Sequence, residues 1–412
     1  MSLAEQINWA RDRFALWEPR IRAFLPEEGR FERLRQEAEA LEDRFPHPGD
    51  RTPLFGVLVG VKDVIHVEGS HTRAGGRLPH EHLQGAEADS VTSLRAAGAL
   101  ILGKTTTSEF SYTAPTSTRN PRNLNHTPGG SSSGSAAAVA AGLCPLALGT
   151  QTTGSIIKPA AFCGIVGFKP SYDRVSRSGL VPLAPSIDHV GLFAPDVKGI
   201  HEAARLLCSE WRTEQDLPNL RVLGVPEGPY LERASHQSLQ HFRKACRRLE
   251  QAGFKIRSVP VMSDFEAIAK RHDNLLIGEA ARVHSDWFAT YREFYHPETA
   301  DMVLRGRLVS EAALENARSS CWELRRELTE LMATHQLDLW ISPSATGPAP
   351  RGLENTGDSI MNLPWTHSGL PTINLPAGTT QAGLPLGLQV AGSWWADEEV
   401  LAWSEVLEAV MR

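Results

Sequence analysis

Two serines sit in small-residue turns that few ordinary loops resemble. Ser131 lies in Gly129-Gly130-Ser131-Ser132-Ser133, and Ser155 closes the turn Gln151-Thr152-Thr153-Gly154-Ser155. A serine hydroxyl supported by a second hydroxyl can act as a nucleophile, and successive backbone N–H groups in such a turn can bind an oxyanion. A third reactive candidate is Lys62, set in the middle of the apolar run LFGVLVGVKDVIHVEG (54–69). An amine there is costly to bury unless it is neutral or paired, and burial lowers its pKa toward that of a usable base. The competing readings are a strand-end lysine reaching water beside Asp63 and a flexible Gly/Ser linker around Ser131. The Ala-rich helix and apolar strand that follow the serine run favour packing over flexibility.

Those two elements must bring the serines together. A helix of about ten residues travels roughly 15 Å one way, and five or six extended residues return about 17–20 Å. The two polar turns therefore finish at the same end, with Ser131 close to Ser155. Around this core, residues 3 to about 46 read as helical with interruptions at Pro19 and Pro26, and Trp9, Phe14 and Trp17 form an apolar stripe. The connector PHPGDRTP (46–53) leads to a buried β segment at 54–69, then helix 90–97, strand 99–102 and a polar turn. Gly98, Gly103, Lys104 and Thr105 satisfy the G-x-x-x-x-G-K-[ST] phosphate-loop pattern, but Ala99-Leu100-Ile101-Leu102 makes a buried strand where a phosphate cradle needs an open loop. Helices are expected at 195–208, 238–253 and 398–411. Strands are expected at 220–228 and 254–261, with another opening 337–350 and two more within 366–392. Residues 262–336 read as mainly helical and charged, a cover for an active-site mouth in which no residue has a readable role.

The stretch 129–170, GGSSSGSAAAVAAGLCPLALGTQTTGSIIKPAAFCGIVGFKP, continuing to Ala194, resembles the amidase signature family of Ser-Ser-Lys hydrolases. The G-V-L-V-G-V-K-D context of Lys62 and the closing segment 366–392 extend that resemblance over about residues 53–392. The spacing and the QTTGSIIKPA sequence are most similar to malonamidase-like members. The resemblance implies an α/β fold: a single amidase-signature domain (49–412) with a central mixed sheet covered by helices on both faces, preceded by a helical segment (1–48). It implies Ser155 as nucleophile, Ser131 as proton shuttle behind a cis peptide bond, and Lys62, neutral before attack, as the base. Ser132 would hold Lys62 by a hydrogen bond, and the backbone N–H groups of Thr152, Thr153, Gly154 and Ser155 would form the oxyanion hole. No histidine, metal or cofactor is required.

Departures from the family pattern D-T-G-G-S-I-R bear on the substrate. Gln151 replaces an aspartate, Ile157 an arginine and Thr153 a glycine, leaving Lys158 as the nearby cation. A β-branched residue disfavours positive φ, so the turn at Thr153 either keeps an allowed backbone or carries strain. Malonamidase-like sequences carry arginine where Lys158 stands, which implies recognition of a small anionic amide, with lysine lacking arginine's bidentate fork.

Composition narrows the alternatives. A chain of 412 residues with 41% hydrophobic and 22% charged content builds a sizeable core, and a net charge of −6 gives no electrostatic reason to expect nucleic acid or an anionic membrane as partner. Five scattered cysteines without a CxxC pair suit reduced thiols, and the start MSLAEQINWARDRF has no apolar signal core, so a cytoplasmic enzyme is expected. His80, Glu81 and His82 are adjacent, not at the i, i+4 spacing of a helical metal site. The expected partner is a small-molecule amide, with a homodimer through the N-terminal helices as the guess for assembly. The alternatives are a glutamine-hydrolysing transamidase subunit, a non-catalytic fold relative and a nucleotide-binding protein.

Overall fold

Short apolar runs become ten strands of one sheet in the computed structural model, which describes residues 2–212 and 220–412. The strands are β1 (Leu58–Lys62), β2 (Leu100–Thr105), β3 (Leu146–Gln151), β4 (Val166–Lys169), β5 (His189–Ala194), β6 (Val222–Glu227), β7 (Lys255–Pro260), β8 (Leu339–Pro343), β9 (Thr372–Thr379) and β10 (Pro385–Ala391). Their order is β2-β1-β3-β5-β4-β9-β10-β8-β6-β7. Pairing is parallel at both ends, in β2-β1-β3 and β8-β6-β7, and antiparallel through the middle, so the sheet is mixed as expected.

The helices are α1 (Leu3–Ile21), α2 (Arg30–Arg44), α3 (Asp89–Ala96), α4 (Ser133–Ala140), α5 (Ile157–Cys163), α6 (Val197–Leu207), α7 (His236–Gln251), α8 (Phe265–Val283), α9 (Ser285–Tyr291), α10 (Pro297–Gly306), α11 (Glu311–Thr334), α12 (Leu363–His367) and α13 (Asp397–Met411). They cover both faces because the strands alternate sides with a period of two. Val59, Val61, Ile101, Leu146 and Leu148 point into one core with α3, α6 and α13. Leu58, Leu100, Leu102 and Ala147 point into the other with α1, α2, α4 and α5. α4 packs close because it is nearly all small. A Cβ on Gly134 would lie 2.2 Å from the Ala23 carbonyl oxygen and 2.4 Å from the Thr106 nitrogen, so a larger residue would collide with the backbone that passes the start of the helix.

Several local expectations are corrected. Pro19 does not interrupt α1 but sits inside its last turn, where few further backbone bonds depend on it. β1 is shorter than the apolar run that suggested it, and Lys62 is its last residue rather than its middle. The Gly103-Lys104-Thr105 segment is no turn: it is paired in β2 against β1. Lys104 is buried with its Nζ 3.0 Å from the Asp63 carboxylate and donating to the Ile65 carbonyl, so its amine faces protein rather than a phosphate. Of the N-terminal stripe, Phe14 and Trp17 pack against the second core while Trp9 stays exposed. Arg13 of α1 and Arg33 of α2 also donate to carbonyls of the body, at Ala141 and Ile101. The cysteines are unpaired. No helix among the described residues is long and apolar enough to cross a membrane.

Candidate active site

Parallel pairing of β1 with β3 fixes the site. Val61 lies beside Leu148 in the register, so Lys62 and Thr150 leave the sheet at the same C-terminal edge. α4 runs back across the sheet from β2 to β3, which places its start, and Ser131-Ser132 just before it, at that edge too. The out-and-back path inferred from sequence is realised, with α4 two residues shorter than the ten supposed.

Lys62 is completely buried, and its Nζ stands 2.8 Å from Ser131 Oγ and 2.7 Å from Thr150 Oγ1. Burial pushes its pKa well below the ordinary lysine value, with the Asp188 carboxylate pulling the other way. The Gly130–Ser131 peptide bond is cis. Ser132 does not hold Lys62 as expected. Its hydroxyl instead donates to the Thr150 carbonyl and accepts from the Thr150 N–H, because it faces the end of β3. Thr150 is the residue that holds the amine, and Ser132 holds Thr150.

Ser155 follows β3 on the wall of a cavity of about 280 Å³ whose lining includes Gly130, Thr152, Thr153, Lys158 and His272. It is 9% exposed, enough to meet a small molecule there. The turn before it is fixed from every side. Thr152 Oγ1 donates to Asp188 at 2.6 Å, and Asp188 also accepts from the Leu183 and Ala184 N–H groups. Burial raises the Asp188 pKa to about 6 while those three donors oppose it. Thr153 is not among the residues with positive φ, so the turn keeps an allowed backbone. Its side chain meets His272 Nε2 at 2.9 Å, and its carbonyl accepts from Thr366 Oγ1 at 2.6 Å. A Cβ on Gly154 would fall 2.4 Å from Asn362 Oδ1, which explains glycine at this point.

Gln151 caps α5 from below. Its Oε1 accepts from the Ile156 and Ile157 N–H groups at 2.8 and 3.0 Å, while Nε2 donates to Thr366. Two orphan donors at a helix start are thereby satisfied by a neutral side chain. Lys158, the second residue of α5, is buried in the cavity wall. Its Nζ donates to the Gly357 carbonyl at 2.6 Å and to Thr356 Oγ1 at 3.4 Å. Burial pushes its pKa down to about 7, with the Asp358 carboxylate pulling it up. It neither points into solvent nor has a carboxylate within ion-pair distance.

Four residues of this site carried no legible role in sequence. Thr150 and Gln151 lay inside the stretch singled out, but each also bonds a residue from outside it, Lys62 and Thr366 respectively. Asp188 had one faint signal, an acid within the apolar context of Ile187 and Val190. His272 had none, since one histidine in a charged helical region looks like any other.

Comparisons with known proteins place the fold and the family. A family model described as Amidase matches residues 10–401. Curated relatives include a glutamyl-tRNA(Gln) amidotransferase subunit of Thermus thermophilus, 34% identical over 90% of this chain and 86% of the relative. Its counterpart in Oleidesulfovibrio alaskensis is 31% identical over 99% of this chain and 94% of the relative. A solved structure described as an amidase superimposes with a TM-score of 0.88 at 33% identity, covering 99% of this chain and 96% of its own. Another, from a vestigial protein complex bearing on the origins of an s-triazine catabolic enzyme, has a TM-score of 0.89 at 28% identity over 99% and 95%.

Proposed function

The chain belongs to the amidase family of enzymes acting on C–N amide bonds, and from that premise we propose that it hydrolyses a small carboxamide through an acyl-enzyme on Ser155. The observation that carries this reading is the Lys62 amine, buried without a carboxylate bonded to it and 2.8 Å from Ser131 Oγ, beside the cavity that holds Ser155. A neutral amine has one lone pair, and with Thr150 Oγ1 as acceptor for one of its protons, that lone pair is free to accept the Ser131 proton. Ser131 in turn takes the proton of Ser155 as its Oγ bonds to the substrate carbonyl carbon. The oxyanion formed would be met by the N–H groups of the Thr152–Ser155 turn. Collapse breaks the C–N bond, and the departing nitrogen receives its proton from Ser131, which recovers it from Lys62. Water, deprotonated by the same relay, then releases the carboxylate product and frees Ser155.

Lys158 narrows the substrate. As an amine in the cavity wall that is a cation below about pH 7 and has no carboxylate within ion-pair distance, it suits a small amide that carries its own carboxylate, as in malonamate. A second reading has direct support in the relatives named as amidotransferase subunits: the chain would hydrolyse glutamine, also an amide with a carboxylate, within an assembly. Ammonia release by the purified chain separates the two. Turnover of malonamate by the chain alone, abolished in Ser155→Ala and indifferent to chelators, supports the first. Glutamine turnover that appears only with co-purified partner subunits supports the second. A fluorophosphonate label found on a residue other than Ser155, with Ser155→Ala fully active, overturns both.

A further inference from the structure

We infer that His272 is a positioning residue for the nucleophile turn, acting on the reaction solely through the side chain of Thr153. This rests on the reading of Ser155 as nucleophile and goes beyond it, because His272 belongs to neither the proton relay nor the oxyanion hole.

The observation behind it is a chain of side chains running away from the cavity. Thr153 Oγ1 meets His272 Nε2 at 2.9 Å, His272 Nδ1 lies 3.4 Å from His367 Nδ1, and His367 Nε2 meets Ser320 Oγ at 2.7 Å. Three elements supply these groups: α8 gives His272, α12 His367 and α11 Ser320. Both rings are buried and kept neutral: burial pushes His272 down to about 3 against the pull of the Thr152 carbonyl, and lowers His367 well below the usual histidine range. Two neutral imidazoles facing one another through Nδ1 can bond only if one donates and the other accepts. The proton direction is therefore set for the row as a unit, and the Thr153 hydroxyl is its end.

Thr153 is thus held at two points, its carbonyl by Thr366 and its hydroxyl by His272, and Thr366 neighbours His367 on α12. A glycine at this position would offer no side chain to hold. The departure noted in sequence, a β-branched residue where the family pattern has glycine, gains a purpose. The hydroxyl anchors the turn to α8 and fixes the direction of the N–H groups on either side of it. A displacement of about 1 Å at a reacting centre can cost on the order of 100-fold in rate.

The test is a double-mutant cycle read by kcat and by the rate of fluorophosphonate labelling at Ser155. His272→Phe should lower both by about 10- to 100-fold with a smaller change in KM. Thr153→Val, which removes only the hydroxyl, should reproduce that loss, and His272→Gln, which restores a polar group to Thr153, should recover most of it. In a Thr153→Gly background, His272→Phe should cost no more than about twofold, because the group it acts through is gone. The inference is overturned if His272→Phe costs the same factor in both backgrounds, or if Thr153→Val keeps the parent rate. Should His272→Phe fail to fold by circular dichroism, the Thr153→Val and His272→Gln results decide it. Absence of label on Ser155 in the parent chain is a different failure, that of the nucleophile assignment.

Discussion

A lysine used as a base must be neutral when substrate arrives, and at Lys62 neutrality comes from burial, opposed by Asp188 alone among the charges acting on it. Thr150 is then the residue that orients the amine. Thr150→Val keeps the shape but leaves a buried N–H without its 2.7 Å partner, a loss of about 1–3 kcal/mol. We expect kcat to fall by about 10-fold or more with folding intact, measured as ammonia release alongside circular dichroism. Lys158 gives the opposite kind of prediction, one of pH. Its pKa of about 7 means that it is a cation below that value and neutral above it. Preference for malonamate over propionamide should therefore be full at low pH and lost as pH rises through about 7, while Lys62 favours the higher pH for both substrates. The ratio of the two kcat/KM values measured between about pH 5.5 and 9 should show this single limb in the parent and be flat in Lys158→Met. A flat ratio in the parent removes Lys158 from substrate recognition.

At the scale of elements, the nucleophile turn is a junction between β3 and α5, and Gln151 serves both. Its Oε1 takes the first free N–H groups of α5, and its Nε2 ties the turn to Thr366 on α12. In an exposed helix an N-cap is worth about 1 kcal/mol, but here the two donors are buried and water cannot replace the amide. Gln151→Leu should destabilise the protein by about 2–4 kcal/mol, read as a lower urea midpoint at unchanged slope, and should lower kcat as well. The same change with an unshifted midpoint would show that α5 starts without this cap.

For the whole molecule, the last helix is pinned to the body by charge. Arg174, 1% exposed, donates to Asp397 and Glu398 of α13 and to the carbonyls of Ser209 and Trp395. Asp397 accepts in addition from the N–H and hydroxyl of Ser171. Breaking a buried ion pair by removing one partner strands the other charge, at about 3–5 kcal/mol. Arg174→Met should lose about 3 kcal/mol, since Ser171 and Arg212 still serve the carboxylates. The measurement is equilibrium denaturation, with activity per folded molecule retained because Arg174 touches no part of the cavity.

Sequence alone determined what depended on neighbours in the chain. Short, nearly continuous apolar runs bounded by turn residues set most strands, and the small residues of 134–142 could only make a tightly packed helix. Gly-Ser turns at both ends of that excursion had to meet, which brought Ser131 and Ser155 into one region. Family resemblance then attached Lys62 and named the roles. Tertiary structure decided whatever rests on strand order and on helices distant in sequence. Lys62 finds Thr150 because β1 pairs with β3 in one particular register. Asp188 reaches Thr152, and His272 reaches Thr153, from about 36 and 119 residues away. Such partners leave no periodicity or motif, because a side chain's hydrogen bond depends on where two backbones cross, not on spacing along either. Ser132 makes the same point: its type promised a hydroxyl near the site, and only the turn's geometry directed that hydroxyl to the end of β3 rather than to the lysine.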